Sequence, residues 1–257
     1  MIIKDQLNRT LSFTEVPNRI VSLVPSQTEL LVDLGLKDNI VGITKFCVHP
    51  IELRKEKIVV GGTKEVNYNK IKALDPDLII CNKEENTELM VSELEKITSV
   101  WISDIYEIED CLAMIDSFGE IFKIQARSKL LTENIIDEMN QFSDYMSKRP
   151  KQKVVYLIWK NPYMCAGTNT FINTMLKLNQ FDNLATHYDS RYPAISLEEM
   201  RGADVVLLSS EPFPFKENDV SYLKKELGVK VSLVDGEYFS WYGSRIKDAF
   251  NYFKKLH

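Results

Sequence analysis

Short apolar runs recur through the first hundred positions, at 20–24, 40–44, 58–60, 78–81 and 100–103, and helical patterns separate them. Runs of this kind, bounded by polar loops, read as strands of a parallel sheet covered by helices on both faces. A second series follows, with strands predicted at 154–159, 205–209 and 231–234 and helices at 171–178, 197–201 and 244–253. The stretch LEEMRGADVVLLSSE repeats the order of YNKIKALDPDLIICNKE: a short helix, an acidic turn, an apolar strand and a polar loop. The pattern predicts an α/β chain of two Rossmann-like lobes with similar topology.

Positions 120–148 are nearly free of glycine and proline, and Ile135, Met139, Phe142 and Met146 recur at spacings of 4, 3 and 4. This predicts one long amphipathic helix that stops at Arg149-Pro150, because proline disfavours helical geometry in its predecessor. The expected organisation is a first lobe over 1–119, a linking helix over 120–150 and a second lobe over 151–257, with a ligand cleft between the lobes. The turn after the first long apolar run, Pro25-Ser26-Gln27-Thr28-Glu29, lacks the glycines of a phosphate loop. Ser26 and Glu29 have the spacing of a capping box.

Composition narrows the functional classes. A chain of 257 residues with 44% hydrophobic content supports a large core, and its formal net charge of -5 offers no field for nucleic acid or an anionic membrane surface. No apolar run reaches the roughly 18 to 20 residues of a membrane span. The segment MIIKDQLNRTLSF has no apolar export core, so a complete chain is expected in the cytoplasm, and a chain that has lost a leader in the periplasm or on a lipid anchor. Cys47, Cys81, Cys111 and Cys165 show no CxxC spacing and read as buried, reduced thiols.

Walker, GxGxxG, GxSxG and HExxH motifs are absent, and GGTK at 61–64 reads as a turn. His49, in Cys47-x-His49-Pro50, is the candidate axial ligand to a chelated metal. More informative are three loops that follow strand ends in the second half: KNPYMCAGTNTF, SEPFPFKEND and DGEYFSWYGSR. Ligands of open α/β sheets sit outside the carboxyl ends of the strands, so these loops should share one rim. Trp159, Tyr163, Phe213, Trp241 and Tyr242 would give it flat apolar faces, and Glu211, Asp235, Glu237 and Arg245 its polar contacts. That mixture suits a bulky, planar, partly polar ligand. Trp159 and Trp241 are expected to flank the ligand while Asp235 and Arg245 orient it, and Trp101 is expected to be core.

The sequence resembles the substrate-binding proteins of ABC importers for cobalamin, ferric siderophores and haem, the class with a helical backbone between two lobes. The resemblance rests on RIVSLVPSQTELLVDLGLKDNIVGIT, His49-Pro50, NYNKIKALDPDLIICN, NPYMCAG, RYPAISLEEMRGADVVLLSS and WYGSR. It implies a non-enzymatic monomer that binds a metal chelate, foremost a corrinoid, with ferric siderophore or haem as the alternative and no intrinsic cofactor. Ser26 and Thr28 would line the cleft; Phe46 and Thr63 would contribute from the first lobe, and Trp159, Tyr192 and Trp241 from the second. An anionic siderophore would have to draw on Lys45, Lys160, Arg191 and Arg245. The resemblance also implies docking to an ABC permease through one acidic residue per lobe. Glu198 stands at the second-lobe position, but Asn69, flanked by Lys70 and Lys72, stands at the first. A corrinoid-modifying or hydrolytic enzyme using Asp235, Glu237 and Glu211 as acid and base is the competing class.

Overall fold

The computed structural model describes residues 1–257, which divide into two compact units: Met1–Ile136 with Tyr242–Ile246, and Asp137–Trp241 with Lys247–His257. The first unit opens with a hairpin, β1 (Ile2–Lys4) and β2 (Thr10–Ser12). It continues through β3 (Ile20–Ser22), α1 (Pro25–Asp33), β4 (Ile40–Thr44), α2 (Leu53–Glu56), β5 (Ile58–Gly61), α3 (Tyr68–Ala73), β6 (Leu78–Asn82), α4 (Glu88–Leu94), β7 (Ser99–Ser103) and α5 (Ile108–Ile121). The strands form an all-parallel sheet in the order β5-β4-β3-β6-β7. Strand β6 is buried at every position, as a strand covered on both faces requires.

The β1–β2 hairpin, which the hydrophobic pattern did not reveal, covers the edge of this sheet. Gln6 N donates to Ile102 O at 3.2 Å, and Arg9 Nη2 donates to Val100 O at 2.6 Å. Asp5, only 4% exposed, holds the turn by accepting from Leu7 N and Arg9 N at 3.0 and 2.9 Å. An edge strand left open is a template for aggregation, and here backbone groups of β7 are occupied.

Helix α6 (Gln125–Met146) is shorter at its start than the pattern predicted. Glu120 belongs to α5, and the chain breaks between the helices at Lys123, whose φ is 53°. The crossing is tight. A Cβ on Gly119 would stand 2.1 Å from Ser128 Oγ, so only glycine fits. The buried stripe on α6 runs through Ser128, Thr132, Ile135, Phe142 and Met146, extending the predicted face back by two small polar residues. At 1.5 Å per residue the helix is about 33 Å long.

The second unit contains β8 (Gln152–Trp159), β9 (Met164–Cys165), α7 (Phe171–Leu178), β10 (Phe181–Asn183), α8 (Leu197–Met200), β11 (Val205–Ser209), α9 (Glu217–Leu227), β12 (Lys230–Val234), α10 (Glu237–Ser240) and most of α11 (Ile246–Phe253). Its parallel sheet has the order β10-β8-β11-β12, with β9 antiparallel to β8. Phe142 from α6 packs against Phe250 and Phe253 at 5.5 and 5.9 Å, and Phe239 against Tyr156 at 4.9 Å. These rings make its aromatic core. All four cysteines are free and buried, as the sequence predicts. Burial pushes the Cys111 and Cys165 thiols up to about 12 and holds Cys81 well above the ordinary thiol range.

Candidate functional site

In the first unit, strands β3, β4, β6 and β7 each end on a buried polar residue: Ser22, Thr44, Asn82 and Ser103. Their side chains form a hydrogen-bonded floor under the loops. Thr28 Oγ1 donates to Val24 O at 2.9 Å and also meets Ser22 Oγ at 2.8 Å, while Cys47 Sγ lies 3.2 Å from Thr28 and 3.3 Å from Thr44. Asn82 Nδ2 and Gln27 Nε2 donate to Ser103 Oγ at 2.9 and 2.5 Å.

This floor changes the expected part of two residues. Helix α1 begins at Pro25 with Val24 as its cap, so Ser26 lies within the first turn and makes no cap, and Glu29 does not reach back to it. Proline supplies the helical φ at that position and has no N–H to satisfy. Ser26 is 4% exposed and Thr28 is fully buried, so both lie below the rim rather than on it.

Glu29 instead accepts from two nitrogens of Arg245, Nε at 2.9 Å and Nη2 at 2.6 Å. Burial pushes the Glu29 carboxyl up by more than this guanidinium and the nearby charge of His49 pull it down. Arg245 and Tyr242, expected on the second rim, both belong to the first unit. Tyr242 is 7% exposed, its hydroxyl accepts from Gln27 Nε2 at 3.4 Å, and Gly243 N donates to Cys111 Sγ at 3.1 Å.

On the first rim, Phe46 is 47% exposed just beyond β4, with the Lys45 ammonium 5.1 Å from its ring centre. Thr63 follows β5, and its carbonyl accepts from Asn86 Nδ2 at 2.8 Å. The half-buried His49 belongs to no group of three or more His, Cys, Asp or Glu able to hold a metal ion. Sequence reasoning missed the loop after β6. There Asn82 Oδ1 accepts from Glu84 N and Glu85 N at 2.8 and 3.1 Å, fixing the backbone of two acidic residues at the strand end. The signal was present as Asn82-Lys83-Glu84-Glu85-Asn86, asparagines on both sides of a charged turn.

On the second rim, Trp159 ends β8, is 42% exposed and meets Phe213 edge-on at 5.7 Å. Tyr163 and Tyr192 are half-buried; Lys160 Nζ pairs with Asp219 at 2.6 Å, and the Arg191 guanidinium lies 5.5 Å from the Tyr192 ring centre. Trp241 differs from the expectation. It is 8% exposed, and its Nε1 donates to Glu211 Oε1 at 3.0 Å. Ser240 Oγ donates to the same oxygen at 2.5 Å. Gly236 is required here, since a Cβ would come within 2.2 Å of Ser209 Oγ and 2.8 Å of Glu211 Cγ. Asp235 Oδ1 accepts from Glu237 N at 3.1 Å. Glu211 therefore ties the loop after β12 to the loop after β11. Glu198 is exposed on α8 and Asn69 on α3.

A family model described as periplasmic binding protein matches residues 20–217. The chain belongs to this family. Among curated relatives, an uncharacterized ABC transporter substrate-binding lipoprotein of Bacillus subtilis is 27% identical over 191 residues, 71% of this chain and 60% of that protein. A cobalamin-binding protein of Halobacterium salinarum is 26% identical over 216 residues, 81% of this chain and 56% of its own length. The chain thus spans less than two thirds of either relative. Among solved structures, the periplasmic vitamin B12 binding protein of Vibrio cholerae shares the fold with a TM-score of 0.81 at 17% identity, covering 93% of this chain and 96% of that one. As a member of the periplasmic binding protein family, this chain has the α/β fold of parallel sheets and helices that its solved neighbour shows. No helix is long and apolar enough to cross a membrane.

Proposed function

We propose that this chain binds a metal chelate, with a corrinoid as the leading ligand, as the substrate-binding component of an ABC uptake system. The observation that carries the reading is Trp159, a large ring left 42% exposed at a strand's carboxyl end in a chain of this family. The cobalamin-binding relative supports the choice of ligand. In this reading Trp159, Phe213, Tyr163 and Tyr192 contact the ligand from the strand-end rim of the second unit. Tyr242, Arg245, Trp241, Ser26 and Thr28 hold the rims in shape. The exposed Glu198 would face a permease, and Asn69 with Lys70 and Lys72 would make a different, non-acidic contact.

Titration calorimetry with cyanocobalamin tests this directly. One molecule should bind per chain with a Kd between about 1 nM and 10 µM, or roughly -12 to -7 kcal/mol. Haemin and ferric siderophores serve as the alternative ligands, and heat with none of these chelates would refute the assignment.

A further inference from the structure

The formal net charge of -5 is spread unevenly over the chain. In the second unit the strands start at the end opposite the aromatic loops, and cations collect there from several elements. The segment between α6 and β8 reads Ser147-Lys148-Arg149-Pro150-Lys151-Gln152-Lys153. Helix α9 closes on Lys224 and Lys225, β12 opens with Lys230, and the turn after α11 carries Lys254 and Lys255.

Contacts within the unit bring these segments together. Register sets Gln152 of β8 beside Phe181 of β10, and Lys230 of β12 beside Val205 of β11, which itself pairs with Val154 of β8. The Tyr145 hydroxyl donates to Lys254 O at 3.3 Å and Arg149 Nη1 to His257 O at 3.0 Å, tying the end of α6 to the end of α11. Burial pushes the His257 imidazole down, and the charges of Arg149 and Lys230 push it further, so both cations lie near it. The acids of this end, Asp144, Asp182, Asp204 and Glu226, are outnumbered. Asp204 is turned to the backbone, accepting from Lys153 N at 2.7 Å. Lys148, Lys151, Lys153, Lys230 and Lys255 are exposed and form no ion pair, unlike Lys160 at the other end of the sheet, which Asp219 holds at 2.6 Å.

We propose that this end of the second unit is a docking face for anionic phospholipid headgroups, which it meets through lysine ammonium groups without inserting into the bilayer. The make-up of the face selects this partner. Ammonium groups on flexible stems suit a diffuse sheet of negative charge, whereas the guanidinium groups that would read a nucleic acid are engaged, Arg149 on His257 O and Arg201 Nη2 on Glu226 O at 3.2 Å. The large apolar side chains that this unit exposes are Trp159 and Tyr222. Trp159 closes β8, and Tyr222 is near enough to Lys160 and Tyr163 to shift both upward, so the two rings belong to the opposite end. No exposed ring therefore stands among the lysines to stack on bases or to wedge between lipids, and the attachment is electrostatic and reversible.

Co-sedimentation of the full chain at low ionic strength, with vesicles of phosphatidylcholine alone and of equimolar phosphatidylcholine and phosphatidylglycerol, tests the face. The protein should pellet with the mixed vesicles and stay in solution with phosphatidylcholine alone, and added salt should release it as the surface charge is screened. A lysine near such a surface raises affinity about fivefold, so the triple variant Lys151→Gln, Lys230→Gln, Lys255→Gln should bind the mixed vesicles at least about 10-fold more weakly at an unchanged melting temperature. The triple variant Lys4→Gln, Lys55→Gln, Lys123→Gln removes the same charge from the first unit and should stay within about twofold of the wild type. Absence of binding to the mixed vesicles at low salt, equal binding to both kinds, or an equal loss in the two variants would overturn the proposal. Tighter binding of a short DNA duplex than of the mixed vesicles would overturn it as well.

Discussion

Trp159 and Trp241 each follow a strand end, yet one faces solvent and the other is held by Glu211. Trp159→Ala should weaken chelate binding about 5-fold to 150-fold, the loss of roughly 1 to 3 kcal/mol of ring contact, with the melting temperature nearly unchanged. Trp241→Ala should instead destabilise the chain by about 3 to 5 kcal/mol, as read by denaturant unfolding. Both residues were picked from the sequence by their place in aromatic loops. Nothing in the local pattern tells which indole will find a buried carboxylate, because Glu211 lies 30 residues from Trp241.

Glu211 supplies a second test. Its folded carboxyl titrates above the ordinary 4.5, so the folded state holds the proton more tightly than the unfolded one. The associated stability is present at pH below 4.5 and is lost as pH rises through the folded value. Glu211→Gln keeps an oxygen acceptor for Ser240 and Trp241 and removes the titration. Melting curves taken from pH 4 to 8 should therefore fall less steeply on the alkaline side in the variant than in the wild type. Parallel curves would mean that Glu211 does not titrate differently on folding.

At the level of elements, period and punctuation told most of the story. Strands β4 and β11 and helix α7 stand where the runs predicted them, since long buried runs with clear ends leave little choice. The β1–β2 hairpin was missed because each strand has three residues and only one of them is buried. Its worth lies in what it covers. Removing residues 1–13 should leave the β7 edge unpaired, and light scattering at elevated concentration should show association that the full chain does not. The α5–α6 break was missed for another reason: Gly119 fits a crossing, and a crossing leaves no trace in hydrophobic period. Phe142→Ala, deep in the aromatic core, should cost about 3 to 5 kcal/mol, whereas Leu130→Ala on the exposed face of α6 should cost about 0.5 kcal/mol or less.

For the whole molecule, the repeat of strand and helix patterns pointed to two α/β halves, and two compact units are found. The scattered cysteine spacing pointed to inert thiols, and all four are free and buried. A thiol reagent such as Ellman's should find no fast-reacting cysteine in the native protein and four in denaturant; fast native labelling would contradict the packing. The return of the chain to the first unit at Tyr242–Ile246 could not be read from WYGSR, since its partners Gln27, Glu29 and Cys111 lie far back in the sequence.

That return has a consequence for synthesis on the ribosome. Glu29 and Arg245 are separated by 216 positions. At 5 to 20 residues per second, the guanidinium is made roughly 10 to 40 s after the carboxylate it will neutralise. From the moment Ser103 is made every strand of the first sheet has been translated, yet the nascent first unit still lacks the strip that occupies Gln27 and Cys111. Completion of the first unit therefore waits on Tyr242–Ile246, and a message cut short before Tyr242 yields a first unit with Glu29 unneutralised, a natural substrate for quality control.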